Sequence, residues 1–229
     1  MRTIAILPVK TFTAAKQRLA DKLGAGSRQA LAQAMFSDVL SSLRHVDGLD
    51  AVVVVTADRV AETAALGERV QVLRDTEQTG QSQAATIGIR YAQAAEYERV
   101  LLVPGDTPLL DAAEVASLLA AAEPLAIVPD RHGTGTNALV LAPPDAIEPS
   151  FGPGSFDRHV SAAQASGLGY SVERVPSLMF DVDTPDDLAD LASALDGCRG
   201  QAPSTRGALR QLDRSRARAS TPRVAPASV

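Results

Sequence analysis

The sequence predicts an α/β fold: a single domain on a mostly parallel sheet with helices on both faces. Three observations carry this. Short runs rich in β-branched residues alternate with Ala-rich segments of helical period. Two of those runs, residues 51–55 and 100–103, are wholly apolar and bounded by turns, as in strands buried on both faces. With 229 residues, 45% hydrophobic and 21% charged, the chain is long enough to bury one sizeable core.

Residues 3–9 open as a strand. Residues 27–44 follow as a helix, with Leu31, Met35, Val39 and Leu43 spaced by four and Ser27 placed to cap it. After the 51–55 strand, 70–73 reads as a short strand and 83–95 as a helix. The 100–103 strand leads into a helix over 111–121. Residues 125–128 and 138–141 read as strands, and 155–165 and 185–195 as the closing helices. Crossovers between parallel strands should be right-handed, and in such sheets ligands bind at the carboxyl ends of the strands.

Residues 1–196 form the domain in this reading. Beyond them the composition turns to Arg, Ala, Ser and Pro without a hydrophobic period, so 197–229 is expected to be a disordered tail, loosely helical at most around 206–214. Net charge is −5, but the tail carries +6 and the domain −11. With five Phe, three Tyr, no Trp and no basic face, the domain is not built to hold nucleic acid. The single cysteine, Cys198, excludes an intramolecular disulfide and points to a reducing, cytoplasmic setting. The apolar run from Ile4 to Leu7 is stopped by Pro8 and Lys10. It is too short for a signal-peptide core, and nothing approaches the ~20 apolar residues of a membrane span.

Three segments could carry chemistry. Pro8-Val9-Lys10 ends the first strand, and Lys16 and Arg18 follow, three cations within nine residues in a chain with three lysines. Lysine as a point charge and arginine as a fork are the usual phosphate partners. The buried strand 100–103 runs into Pro104-Gly105-Asp106-Thr107-Pro108, a stiffened loop suited to presenting an acid to a divalent cation. In Asp181-Val182-Asp183-Thr184-Pro185, Thr184 and Pro185 are a helix start, with Asp186 and Asp187 in its first turn. Asp181 and Asp183 precede the cap and alternate on extended chain. Asp183 is the choice to join Asp106 around Mg2+, with Asp181 in reserve, since Mg2+ favours one or two carboxylates plus substrate phosphates.

Three further stretches are ambiguous. Arg131-His132-Gly133-Thr134-Gly135-Thr136-Asn137 joins two strands, and Phe151-Gly152-Pro153-Gly154-Ser155 precedes a helix that Ser155 could cap, leaving free N–H groups for an anion. Arg158 and His159 stand one turn further on. Gly80-Gln81-Ser82, within the stretch from Arg74 to Ala84, precedes the third helix and could contact a purine base or be a plain junction.

Taken together, PVKxxxxAKxRL, PGDTPLL, RHGTGTNAL, FGPGSFxRH and DVDTPDDL, in that order over residues 1–195, resemble the CofC/FbiD family of guanylyltransferases. The resemblance implies a Rossmann-like nucleotidyltransferase fold and transfer of GMP from GTP to phosphoenolpyruvate, 2-phospho-L-lactate or 3-phosphoglycerate. Its product is the guanylylated precursor of coenzyme F-420. It also implies that Asn137, Gly152 and Ser155 hold the phosphorylated acid, and that Pro8, Val9, Lys10, Lys16, Arg18, Gly80 and Gln81 hold the nucleotide. Two departures stand out: Gly80-Gln81-Ser82 replaces the family's usual Gly-Leu-Asn, and Asn137 stands where some members carry Thr. Possible partners are a downstream deazaflavin transferase and a second copy of the chain.

The expected chemistry has the acceptor's phosphate attack the α-phosphorus in line, with Lys10, Asp106 and Asp183 as the catalytic set. A phosphate monoester is largely ionised at neutral pH, its second pKa being about 6, so no general base is required and His132 and His159 fall to binding roles. The rival readings are a molybdopterin-type or sugar-phosphate nucleotidyltransferase, whose usual GxG loop after the first strand is missing here, and a non-catalytic nucleotide-binding regulator.

Overall fold

The computed structural model describes residues 1–120, 124–197 and 200–220, and of 216–220 the backbone alone. Cys198 lies outside the described residues, as does Ala121, the expected last residue of its helix.

Seven strands form one sheet: β1 (Thr3–Val9), β2 (Ala51–Thr56), β3 (Gln71–Arg74), β4 (Arg99–Leu102), β5 (Leu125–Pro129), β6 (Thr136–Leu141) and β7 (Tyr170–Val172). Their order is β3-β2-β1-β4-β6-β5-β7. β6 runs antiparallel to both β4 and β5, and every other pairing is parallel. The antiparallel strand arises because only a tight loop, closed by Asp130 N–H to the Gly135 carbonyl at 3.0 Å, joins β5 to β6. So short a link can make a hairpin but not a crossover.

The described residues hold seven α-helices: α1 (Ala25–Leu43), α2 (Arg59–Gly67), α3 (Gln81–Ala94), α4 (Ala112–Ala120) and α5 (Ser155–Ser166) on the sheet, with α6 (Pro185–Gly197) and α7 (Pro203–Ser220) packed against α1. Strand side chains alternate between faces, so β1 sends Ala5 and Leu7 toward α1, α2 and α4, and Ile4 and Ile6 toward α3 and α5. This two-sided burial is what the unbroken apolar runs predict. α3 approaches β1 closely at Gly88, where an added Cβ would stand 2.3 Å from Ile6 Cγ2.

Several expectations are corrected. Gly24, not Ser27, caps α1, because the helix begins two residues before Ser27 and ahead of its first apolar contact at Leu31. Gly154, in the left-handed region at φ 70°, caps α5, so Ser155 is its first helical residue. α2 has no apolar run to reveal it; Asp58 starts it by accepting from Val60 and Ala61 N–H. The disordered-tail reading fails for 203–220. The carboxylate of buried Asp38 accepts from Ser204 N–H at 3.0 Å and Thr205 N–H at 2.7 Å, capping α7. Ala202, Leu209 and Leu212 then join Leu31, Met35, Leu191 and Leu195 in a third apolar cluster. Three apolar contacts and one distant acid suffice to order an Arg-rich helix.

Candidate active site

The turn after β1 is pinned before it is functional. Thr56 Oγ1 donates to the Val9 carbonyl at 2.8 Å, and Asp58, besides capping α2, accepts from Phe12 N–H at 2.8 Å. Phe12 and Leu19 are buried anchors on either side of Lys16. Between them Lys16 adopts the left-handed region, φ 55° and ψ 38°, which turns its side chain inward. Its ammonium is 2.5 Å from Asp106 Oδ2 and 3.1 Å from Asp183 Oδ1, with the side chain 5% exposed. Burial alone lowers the Lys16 pKa, but the charges and hydrogen bonds of Asp106 and Asp183 outweigh it and hold the group above its ordinary value.

A cavity of about 350 Å³ lies over these groups. Pro8, Val9, Lys10, Lys16, Gly80, Gln81, Asp106 and Asp183 all line it, so the structure gathers nearly every residue assigned to nucleotide or metal. Arg18 is the exception: its side chain is 70% exposed, with Nη1 3.9 Å from Asp183 Oδ2. Asp106 and Asp183 aim two hard oxygens at one positive point, a donor set that fits Mg2+. No cluster of three or more metal-ligating side chains occurs among the described residues.

Asp181 turns the other way. Asn137 Nδ2 donates to Asp181 Oδ1 at 3.1 Å and to the Leu178 carbonyl at 3.0 Å. Burial, then the neighbouring charges of Asp106 and Asp183, raise the Asp181 carboxyl above its ordinary pKa, against the hydrogen bond from Asn137. Residues two apart share a face on regular extended chain, so alternation does not set the different partners of the two acids: Asn137 holds Asp181 and Lys16 holds Asp183. The pairing of Leu102 with Leu139 places Asn137 beside the β4 loop, on the rim that carries Asp106.

Asn137, Gly152 and Ser155 are not among the residues lining the cavity. The 150–154 loop is held from three sides. Arg158 donates to Ser150 Oγ, the Ser150 carbonyl and the Pro153 carbonyl at 2.7–2.8 Å. Ser82 Oγ accepts from Phe151 N–H at 2.8 Å, joining the loop to the helix that starts at Gln81. His159 Nε2 accepts from Ser150 N–H at 2.8 Å, so its proton sits on Nδ1 and donates to Thr136 Oγ1 at 2.9 Å. Burial, and secondarily Arg158, lower the His159 pKa to about 4. The ring is therefore a neutral brace, and Arg158 is spent on the loop rather than left for a phosphate. His132 lies on the exposed hairpin tip against Arg131 Nε.

Sequence reasoning missed the supports. Asp187 Oδ2 accepts from Asp183 N–H at 2.8 Å and Thr184 N–H at 2.6 Å, while Arg131 pairs with its other oxygen. The helix-start pattern gave Asp187 a structural reason but not its hold on Asp183. Asp75, a buried acid at the end of β3, lines the cavity, and a loop acid between Arg74 and Thr76 offered no signal of burial.

A protein-family profile described as "Guanylyl transferase CofC like" matches residues 3–223. A phosphoenolpyruvate guanylyltransferase of Conexibacter woesei is 47% identical over 219 residues, covering 94% of this chain and 98% of that protein. A 2-phospho-L-lactate guanylyltransferase of Methanothermobacter thermautotrophicus is 34% identical over 214 residues, covering 93% and 92%. Among solved structures, a candidate nucleotide-diphospho-sugar transferase of Desulfovibrio desulfuricans superposes with a TM-score of 0.75 at 20% identity, covering 93% and 96%, a likeness of fold.

Proposed function

This chain belongs to the CofC-like family of guanylyl transferases, and from that premise we propose that it moves GMP from GTP to the phosphate of phosphoenolpyruvate. A phosphate oxygen of the acceptor bonds to the α-phosphorus of GTP as the bond from that phosphorus to the β-phosphate bridging oxygen breaks. Pyrophosphate leaves, and enolpyruvoyl-2-diphospho-5'-guanosine, a precursor for coenzyme F-420, is formed. The observation that carries the reading is the meeting of Asp106, Asp183 and Lys16 in one cavity with Lys10 and the Gly80-Gln81 loop. The acceptor follows the 47% identical relative's name, and the Asn137 flank supplies a place for it beside the cavity.

Asp106 and Asp183 would hold Mg2+, which when bound offsets the charge of the triphosphate. Lys10 stabilises the charge that develops toward pyrophosphate, and Lys16 holds Asp106 and Asp183 together. The 150–154 loop, fixed by Ser82, Arg158 and His159, orients the acceptor without reordering on binding. No residue is asked to remove a proton. We place the reaction in the cytoplasm, where GTP and a one-cysteine chain belong.

The test is pyrophosphate release with GTP and Mg2+, run separately with phosphoenolpyruvate, 2-phospho-L-lactate and 3-phosphoglycerate. Turnover with phosphoenolpyruvate is expected. Turnover with another of the three alone moves the acceptor, and silence with all three despite GTP binding removes the proposal.

A further inference from the structure

The mechanism leaves one buried acid of the cavity without a task. Asp75 follows β3, is 7% exposed and lines the cavity. Its backbone is tied down, with its N–H on the Thr56 carbonyl at 3.1 Å. Oδ1 accepts from Gln78 N–H at 3.0 Å, and Gln78 takes the left-handed region, φ 51°, to offer it. Oδ2 has no hydrogen-bond partner among the described residues and is not among the solvent-excluded atoms. An oxygen open to solvent at the wall of the cavity can accept from a donor that a ligand brings.

The position of Asp75 says which part of a ligand it meets. In the order β3-β2-β1-β4, three strand spacings separate the β3 loop of Asp75 from the β4 loop of Asp106, about 14 Å. A nucleoside triphosphate whose phosphates lie by Lys16 and Asp106 carries its base toward the β3 loop. With Asp75 the cavity is lined by Ala57 and Ala84, small enough to admit a ring, and by the polar Gln78 and Gln81. Of the common bases, guanine alone presents two adjacent donors, N1–H and the 2-amino group, on its Watson–Crick edge. Adenine and cytosine each offer a ring nitrogen acceptor there.

We propose that Asp75 is the guanine-reading residue, its carboxylate accepting from the N1–H and 2-amino group of the base. This rests on the guanylyl-transfer reading and deepens it. Gln78 fixes one oxygen and aims the other, and an adenine or cytosine ring in the same slot would set an acceptor against a carboxylate, leaving both unpaired.

The experiment measures kcat/KM by pyrophosphate release on the full chain with GTP, ITP, XTP, ATP and CTP, for the unaltered protein and Asp75→Asn. Inosine lacks the 2-amino group, so ITP should fall at least about tenfold below GTP on the unaltered protein. Xanthine replaces that group with an acceptor, and the amide of Asp75→Asn can donate to it. The variant should lose on the order of 100-fold with GTP and gain with XTP, inverting the preference. Equal losses on GTP, ITP and XTP would show that Asp75 only props the loop through Gln78, overturning the assignment. Indifference of the unaltered protein between GTP and ITP overturns it without any variant. A preference for CTP or ATP, or inertness with all five, defeats the guanylyl-transfer reading itself, a different result from GTP turnover with an unmoved XTP ratio.

Discussion

His159 makes the stability of this protein depend on pH in a way that can be computed from its surroundings. Its Nε2 must stay unprotonated to accept from Ser150 N–H, and its ring is fully buried against Phe151 and β6. The folded pKa of about 4 compares with 6.5 for the free side chain. Between those values the unfolded chain holds a proton that the folded chain refuses, so stability rises with pH there. The full contribution is present above pH 6.5 and is lost as pH falls toward 4, amounting to about 3 kcal/mol at 1.36 kcal/mol per unit. The carboxylates titrate in the same range, so the comparison is with His159→Gln, whose amide can accept from Ser150 and donate to Thr136 but does not titrate. Urea unfolding of both proteins from pH 7.5 to 4 should give a stability difference that shifts by about 3 kcal/mol against the unaltered chain. Parallel curves, offset by a constant, would refute the buried neutral imidazole.

Other substitutions test other links. Gly88→Ala places a methyl group against Ile6 and should lower stability by about 1–3 kcal/mol, seen as a lower urea midpoint, with GTP KM unchanged. Asp183→Asn removes one of the two negative charges converging on Lys16 and should cut kcat/KM by on the order of 100-fold; the same change at Asp181 should do less, as Asp181 faces Asn137. Retention of rate in Asp183→Asn at limiting Mg2+ would argue against the paired-acid site. Asp38→Ala uncaps α7 and should cost about 1–2 kcal/mol while opening 203–220 to proteolysis at unchanged turnover. Slow cleavage there, as in the unaltered protein, would mean the apolar contacts of Leu209 and Leu212 hold α7 unaided.

What the sequence disclosed and what it withheld divide along physical lines. Strands buried on both faces announce themselves, and β1, β2, β4 and β6 lie within two residues of where their apolar runs place them. α2 has no comparable stripe, as only Ala61 and Ala65 are buried in it, and β7 is a three-residue edge strand. α7 was misjudged because composition measures what a segment can bury by itself, whereas Asp38 caps it from 166 residues away. The site shows the same contrast. Lys10, Lys16, Asp106 and Asp183 were legible because charged residues clustered after β1 and β4 and ahead of a helix cap lack an evident local duty. Asp187, Ser82 and Asp75 were not: the bonds of Asp187 and Asp75 to residues three or four away read as an ordinary cap and turn, and the partner of Ser82, Phe151, lies 69 residues off.

The placement of Lys16 ties these threads into one electrostatic argument. A non-glycine residue in the left-handed region costs on the order of 1 kcal/mol, and burying an ammonium costs more. Both are offset because three segments distant in sequence, the β1 turn, the β4 loop and the 181–183 segment, meet at that ammonium. Without it, Asp106 and Asp183 would face each other and Asp181 across a partly buried space; the Asp181 pKa is raised by burial first and by the charges of Asp106 and Asp183 second. Lys16 therefore holds the acids close enough to act together, and Asp187 and Arg131 fix the backbone from behind. Lys10, exposed and lining the same cavity, is left to meet the incoming phosphates. Two cations with separate duties explain why the β1 turn of an acidic domain, net −11 over residues 1–196, carries two of the chain's three lysines.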